Sequence, residues 1–141
     1  MEFENTLGRF IGRLKYLIYQ ELNKELKKSN LCITGEQFRL LTHLWKKDGL
    51  TQQKVADLTY RNRGSITRMV DVLEKNGVIK RIEDKRDRRV NLIYLTDHGR
   101  ELEVEAVKCV ESIHEKITRD FTLEEIDIYS DLLKRSIQNL E

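Results

Sequence analysis

Asp87 and Arg89 stand two residues apart inside an unbroken run of seven ionisable residues, Glu83 to Arg89. A carboxylate and a guanidinium at that spacing in a tight turn can form a bidentate, charge-assisted pair that holds the arginine in one orientation. Lys85, Arg86 and Arg88 fill the rest of the run, so four bases share it with three acids. An aimed arginine suits a narrow, electronegative groove in a polyanion. Upstream lies a second cluster: Arg61, Asn62, Arg63, Gly64, Ser65, Thr67 and Arg68. Arginine can bond a guanine edge in bidentate fashion, and Ser or Thr can bond a base or a phosphate. A glycine among them lets a backbone come close. Thr51, Gln52 and Gln53 carry hydroxyl and amide groups of the kind that contact phosphates.

The charge of the 141-residue chain is local rather than global. Between Arg61 and Arg89 there are ten Lys/Arg against five Asp/Glu, a segment of +5, while the remainder has 16 basic against 19 acidic residues. Such a patch is the electrostatic footprint of a polyanion partner. Two cysteines, Cys32 and Cys109, do not make a disulfide framework. No run approaches the roughly 18 apolar residues of a membrane span, and the amino-terminal stretch is too charged for a signal peptide, so a cytoplasmic location is expected. No G-x-S-x-G, phosphate-cradling glycine loop or H-E-x-x-H motif points to an enzyme, and no cofactor is implied.

The elements that must position these clusters read as mainly α. Phe3, Leu7, Phe10, Ile11, Leu14, Leu17, Ile18 and Leu22 form one stripe of a long first helix over 3–28. Thr34 with Gln37 is a capping box for a second helix, with Phe38, Leu41, Leu44 and Trp45 inward, ending near Asp48-Gly49. Thr51 caps a short third helix to Leu58, and Asn62 caps a fourth whose buried face holds Ile66, Met69, Val70 and Leu73. Gly77 ends it. On the wheel of this fourth helix, Gly64, Arg68, Asp71 and Lys75 lie opposite the buried face. Val78 to Glu83 and Val90 to Leu95 predict two strands of a β-hairpin whose tip is the charged knot. Thr96 caps a fifth helix, and Thr122 with Glu125 is the capping box of a sixth. Short helix, turn, longer helix and charged hairpin make a winged helix-turn-helix over 34–96, with a second, helical lobe from 1–33 and 97–141. The terminal helices pack either on each other within one chain or against a second copy.

The stretch TYRNRGSITRMVDVLEKNGVIKRIEDKRDRRVNLIYLTDHG resembles the core of the MarR family of bacterial transcriptional regulators. The resemblance rests on Thr67, Arg68, Val70, Asp71, Leu73, Glu74, Gly77, Ile79 and Arg81, then Asp84, Asp87, Arg89, Leu95, Thr96 and Gly99. It implies a homodimeric DNA-binding regulator, most often a repressor, with the first, fifth and sixth helices interlocked between subunits. It implies a recognition helix opened by Arg61 to Arg68 and a wing at Lys85 to Arg89. It also implies a small aromatic or amphipathic effector between the lobes, for which Arg13, Tyr16, His43 and Trp45 are the candidate lining. Other members sense metals or oxidants. Here Cys32, His43 and His114, with Glu25 or Glu111, lack tight ligand spacing, and no cysteine lies within residues 1–31. A different class of reading is a protein-interaction module that sets its basic wing against an acidic partner.

Overall fold

A computed structural model describes residues 2–141. After a 3-10 turn at Phe3–Asn5, the elements run α1 (Leu7–Lys28), α2 (Gly35–Lys46), β1 (Leu50–Thr51), α3 (Gln52–Leu58), α4 (Arg63–Lys75), β2 (Ile79–Glu83), β3 (Asn91–Leu95), α5 (Asp97–Ile117) and α6 (Leu123–Gln138). Five helices begin on a side chain that accepts the backbone N–H three residues on: Thr34, Thr51, Asn62, Thr96 and Thr122. Thr34–Gln37 and Thr122–Glu125 are reciprocal capping boxes, as the spacing predicts.

Three helices stop in one way. In α1, α3 and α4 the residue past the C-cap is left-handed, and the next N–H reaches back to the carbonyl five residues earlier: Leu31 to Leu26, Arg61 to Ala56 and Val78 to Leu73. The left-handed positions hold Asn30, Tyr60 and Gly77. Glycine takes that backbone without strain and asparagine tolerates it.

The sheet is antiparallel with order β1-β3-β2. Sequence periodicity finds the hairpin but not β1, whose two residues pair Leu50 with Ile93 and Thr51 with Leu92. Two residues carry no alternation, so only the partner strand defines them. One core runs through the molecule, from Leu22 and Leu26 of α1, through Leu40, Leu41 and Leu44 of α2 and Ile66, Val70 and Leu73 of α4, to Leu102, Ala106, Cys109 and Ile113 of α5.

The end of α4, the start of the wing and the start of α5 meet at one carbonyl. Thr96 N–H donates to Val78 O at 3.1 Å, Thr96 Oγ1 donates to the carbonyls of Gly77 and Val78, and Gly99 N–H returns to Thr96 Oγ1 at 3.0 Å. Gly99 has no alternative there, because a Cβ would sit 2.1 Å from Val78 O. Its own carbonyl accepts the indole N–H of Trp45 at 2.9 Å.

The terminal helices do not bury each other. The second half of α1 packs on α2 and α5, with Lys116 bridging Glu21 and Glu25. Of the predicted first-helix stripe only Leu22 is buried; Phe3, Leu7, Phe10, Ile11 and Leu17 are exposed. No residue of α6 is buried, and Ile128, Leu132, Ile137 and Leu140 are open to solvent. Among the described residues no helix is long and apolar enough to cross a membrane.

Replacing Gly99 by alanine is expected to destabilise the fold by about 1–3 kcal/mol, the usual cost of forcing an atom into packed space. A denaturant titration checks this; an unchanged midpoint contradicts the tight junction.

Candidate nucleic-acid interface

The amino-terminal turns of α3 and α4 and the base of the wing enclose a cleft of roughly 290 Å³, lined by Thr51, Gln52, Gln53, Arg63, Thr67 and Arg89 among others. Residues from three separate clusters in the sequence therefore share one wall. Hydrogen bonds tie them: Arg63 Nε donates to Gln53 Oε1 at 3.1 Å, Gln52 Nε2 to Thr67 Oγ1 at 3.0 Å, and Thr67 Oγ1 to the Arg63 carbonyl at 2.7 Å. Thr67 has thus given its proton to its own helix and stiffens the α3–α4 angle.

The wing tip is built almost wholly from its own bonds. Asp84 N–H donates to Val90 O, and Val90 N–H to Asp87 O. The Asp84 carboxylate accepts from Arg86 N–H at 2.8 Å. Asp87 receives Arg89 through Nε at 3.0 Å and Nη2 at 3.1 Å, and also takes the Arg89 backbone N–H at 3.0 Å. The bidentate pair expected from the two-residue spacing is formed. Its hydrogen bonds hold the Asp87 carboxyl below the usual aspartate value and raise Arg89. The Arg89 side chain is nevertheless 91% exposed, so the pair orients the arginine without hiding it. Lys85, Arg86 and Arg88 are exposed around it.

The other flank of α4 is organised differently. Arg61 forms an ion pair with Glu36 of α2, and its Nη1 donates to Ser65 Oγ at 2.9 Å. It therefore ties α4 to α2, a role invisible in the sequence because the partners are far apart. Asn62 is occupied as the N-cap, accepting Ser65 N–H at 2.8 Å. Arg68 and Gly64 remain exposed, and a Cβ on Gly64 would meet only ordinary contacts, so the fold itself does not require that glycine. Asp71 is exposed on the same face as Arg68, as the wheel predicts. It pairs with Arg81 of β2, which also bonds Glu74 through Nε at 3.3 Å, Nη2 at 3.0 Å and its backbone N–H at 3.0 Å. This staple fixes the recognition helix against the wing. Arg81 holds Glu74 below its ordinary pKa by side-chain and backbone hydrogen bonds.

Residues 33–90 match the MarR family. The chain is 34% identical over 101 residues to an organic hydroperoxide resistance transcriptional regulator of Bacillus subtilis, covering 68% of this chain and 69% of that one. The chain belongs to the MarR family. It is 29% identical over 128 residues to the multiple antibiotic resistance protein MarR of Salmonella typhimurium, covering 89% of each. The structure of apo wild-type MarR from E. coli superposes with a TM-score of 0.78 at 28% identity, covering 93% of this chain and 96% of that one. The protein is therefore a winged-helix, DNA-binding transcriptional regulator and not an enzyme.

Within this MarR fold the expected effector lining is not assembled by one chain. Arg13 and Tyr16 stand exposed on the free half of α1, with Tyr16 Oη accepting from Gln20. Trp45 belongs to the α2–α5 seam through Gly99 and an edge-to-face contact with Phe38 at 5.6 Å. His43 is half-buried, and desolvation followed by Arg39 and Lys46 lowers its pKa. The α2–α5 face instead carries a cleft of roughly 450 Å³ lined by Phe38, Val107, Val110, Glu111, His114 and Glu115. Cys32, His43 and His114 do not converge; among the described residues no three His, Cys, Asp or Glu are placed to hold a metal. Cys109 is buried in the core beside Ser29, and Cys32 is exposed.

Glu74→Gln tests the staple. A carboxylate whose folded pKa is depressed adds stability that is complete above its ordinary value of 4.5 and is lost as pH falls through the depressed one. The variant is expected to be less stable than wild type at pH 7, with the gap closing below about pH 4. A gap that stays constant in acid would exclude the ion pair as its cause.

Proposed function

We propose that this regulator is a homodimeric repressor that binds a pseudo-palindromic operator and is released by a small effector. The shared cleft supports the reading, because the α3 start, Arg63 of α4 and the braced wing arginine line it together. Arg63, Gly64, Ser65 and Arg68 then address the major groove, while Arg61, Asn62 and Thr67 hold the helix in position. Thr51, Gln52 and Gln53 contact the phosphates beside it. Arg89, aimed by Asp87 and supported by Lys85, Arg86 and Arg88, enters the neighbouring minor groove.

The dimer is supported by the apolar faces that one chain leaves open on α1 and α6. Residues 34–96 act as the DNA-binding lobe, and 1–33 with 97–141 as the dimerisation lobe, the two joined by a common core. Two-fold symmetry spaces the half-sites by about one helical turn, roughly 10 bp. The α2–α5 cleft lies where those lobes meet, with an apolar floor of Phe38 and Val110. An effector there need only favour a dimer with wrongly spaced recognition helices, and a coupling of about 1–3 kcal/mol suffices.

The test is a titration against a pool of genomic fragments and a random duplex. A discrete fragment is expected to bind on the order of a thousandfold tighter than random DNA. Asp87→Ala is expected to weaken that binding several-fold, and Arg89→Ala at least as much, although the aspartate variant makes the wing more positive. Tighter binding by Asp87→Ala refutes the brace. Weak, salt-driven binding indifferent to sequence favours a protein-interaction module instead. Sedimentation is expected to give about twice the 16.8 kDa chain mass, and a monomer at micromolar concentration removes the symmetric operator.

A further inference from the structure

Tyr60 is the anomaly among the three helix ends. It takes φ 55 in the turn between α3 and α4, where its counterparts are Asn30 and Gly77. A bulky aromatic residue is poorly suited to left-handed backbone. Burial does not compensate, because 83% of the residue is open to solvent. Its recorded ring contact is the Arg39 guanidinium, 5.3 Å over the ring centroid. The fold of the isolated chain therefore gains little from this ring, and a smaller residue would fit the turn better.

Its position points to a ligand. Residues 63, 66 and 67 of α4 line the wing-side cleft, whereas Ser65, Arg68, Met69 and Val72 line a groove against Glu36 and Gln37 of α2 on the opposite flank. Arg39 follows Glu36 by three residues on α2, so the Arg39–Tyr60 pair belongs to that opposite flank. Arg61 is already committed there to Glu36 and Ser65. Among the described residues Arg39 makes no ion pair, and stacking on an aromatic face leaves the N–H edge of a guanidinium free. A recognition helix in a groove roughly 12 Å wide lies between two phosphate chains. The wing-side cleft addresses one of them.

We propose that Tyr60 and Arg39 form a clamp for a backbone phosphate on the far side of the major groove, with the ring orienting the guanidinium and the phenol O–H donating beside it. The proposal rests on the DNA-binding surface described above, and it adds a second, sequence-independent anchor. A clamp of this kind fixes the depth and tilt of α4 from the side the wing cannot reach.

The test compares wild type, Tyr60→Gly, Tyr60→Asn and Arg39→Ala on the fragment selected by wild type and on a random duplex of equal length, across a salt series. Glycine and asparagine both accept the left-handed turn, so these variants are expected to unfold at or above the wild-type temperature. Both are expected to bind the two duplexes about five- to tenfold more weakly, the size of one lost hydrogen bond of ordinary net strength. Arg39→Ala is expected to lose as much and to lower the salt slope by about one. Wild-type affinity in either Tyr60 variant overturns the clamp. A loss confined to the selected fragment also overturns it, since that marks base reading. If wild type itself prefers no fragment, the operator reading fails first; if wild type binds and the variants follow it, only the clamp fails.

Discussion

The architecture depends on the crowding around the Val78 carbonyl. The backbone leaves α4 through Gly77, turns into the wing at Val78, and passes the start of α5 so closely that no side chain fits at position 99. Thr96 serves two purposes there, capping α5 and tying the wing to the end of α4. Trp45 extends the junction into α2 by bonding the Gly99 carbonyl. Three elements that must keep a fixed relation during DNA binding are thus held by backbone contacts, which admit little adjustment. The leucine-threonine-x-x-glycine signature at Leu95 to Gly99 is the sequence trace of this packing.

Charge around α4 and the wing follows a division of labour. Acids on the structural side, Glu36, Asp71 and Glu74, hold Arg61 and Arg81 in place. At the wing tip, Asp87 aims an arginine that stays in solvent. Surface ion pairs of this kind add little to stability individually. Their contribution is orientation, which limits the entropy lost when a long side chain meets its target. Net charge is a poor guide to this arrangement, since a chain of only +2 concentrates its positive surface in one segment.

How much was legible in the sequence follows from the range of each interaction. Caps at Thr34, Thr51, Asn62, Thr96 and Thr122 act over three residues, and the Asp87–Arg89 pair over two, so both can be read directly. The paired strands are legible because alternation and the break at the charged knot are local. The strand Leu50–Thr51 is not, because its partner Ile93 lies more than forty residues away. The Arg61–Glu36 and Asp71–Arg81 pairs are hidden for the same reason. The first-helix stripe reads as one apolar face, of which a single chain covers only the second half. Periodicity reports that a face is apolar and not which molecule covers it. Tyr60 could have been noticed, since a helix that stops just before the Asn62 cap leaves its left-handed turn without a glycine.

The self-contained bonding of the wing tip has an evolutionary consequence. From Asp84 to Val90 the recorded hydrogen bonds close within the loop, and the core contributes only the two strands beneath it. Substitutions at Lys85, Arg86 or Arg88 can therefore accumulate without disturbing the fold. A duplicated copy of this chain could acquire a new target at the tip long before its interior had diverged, and related sequences should vary most where the loop is most self-sufficient.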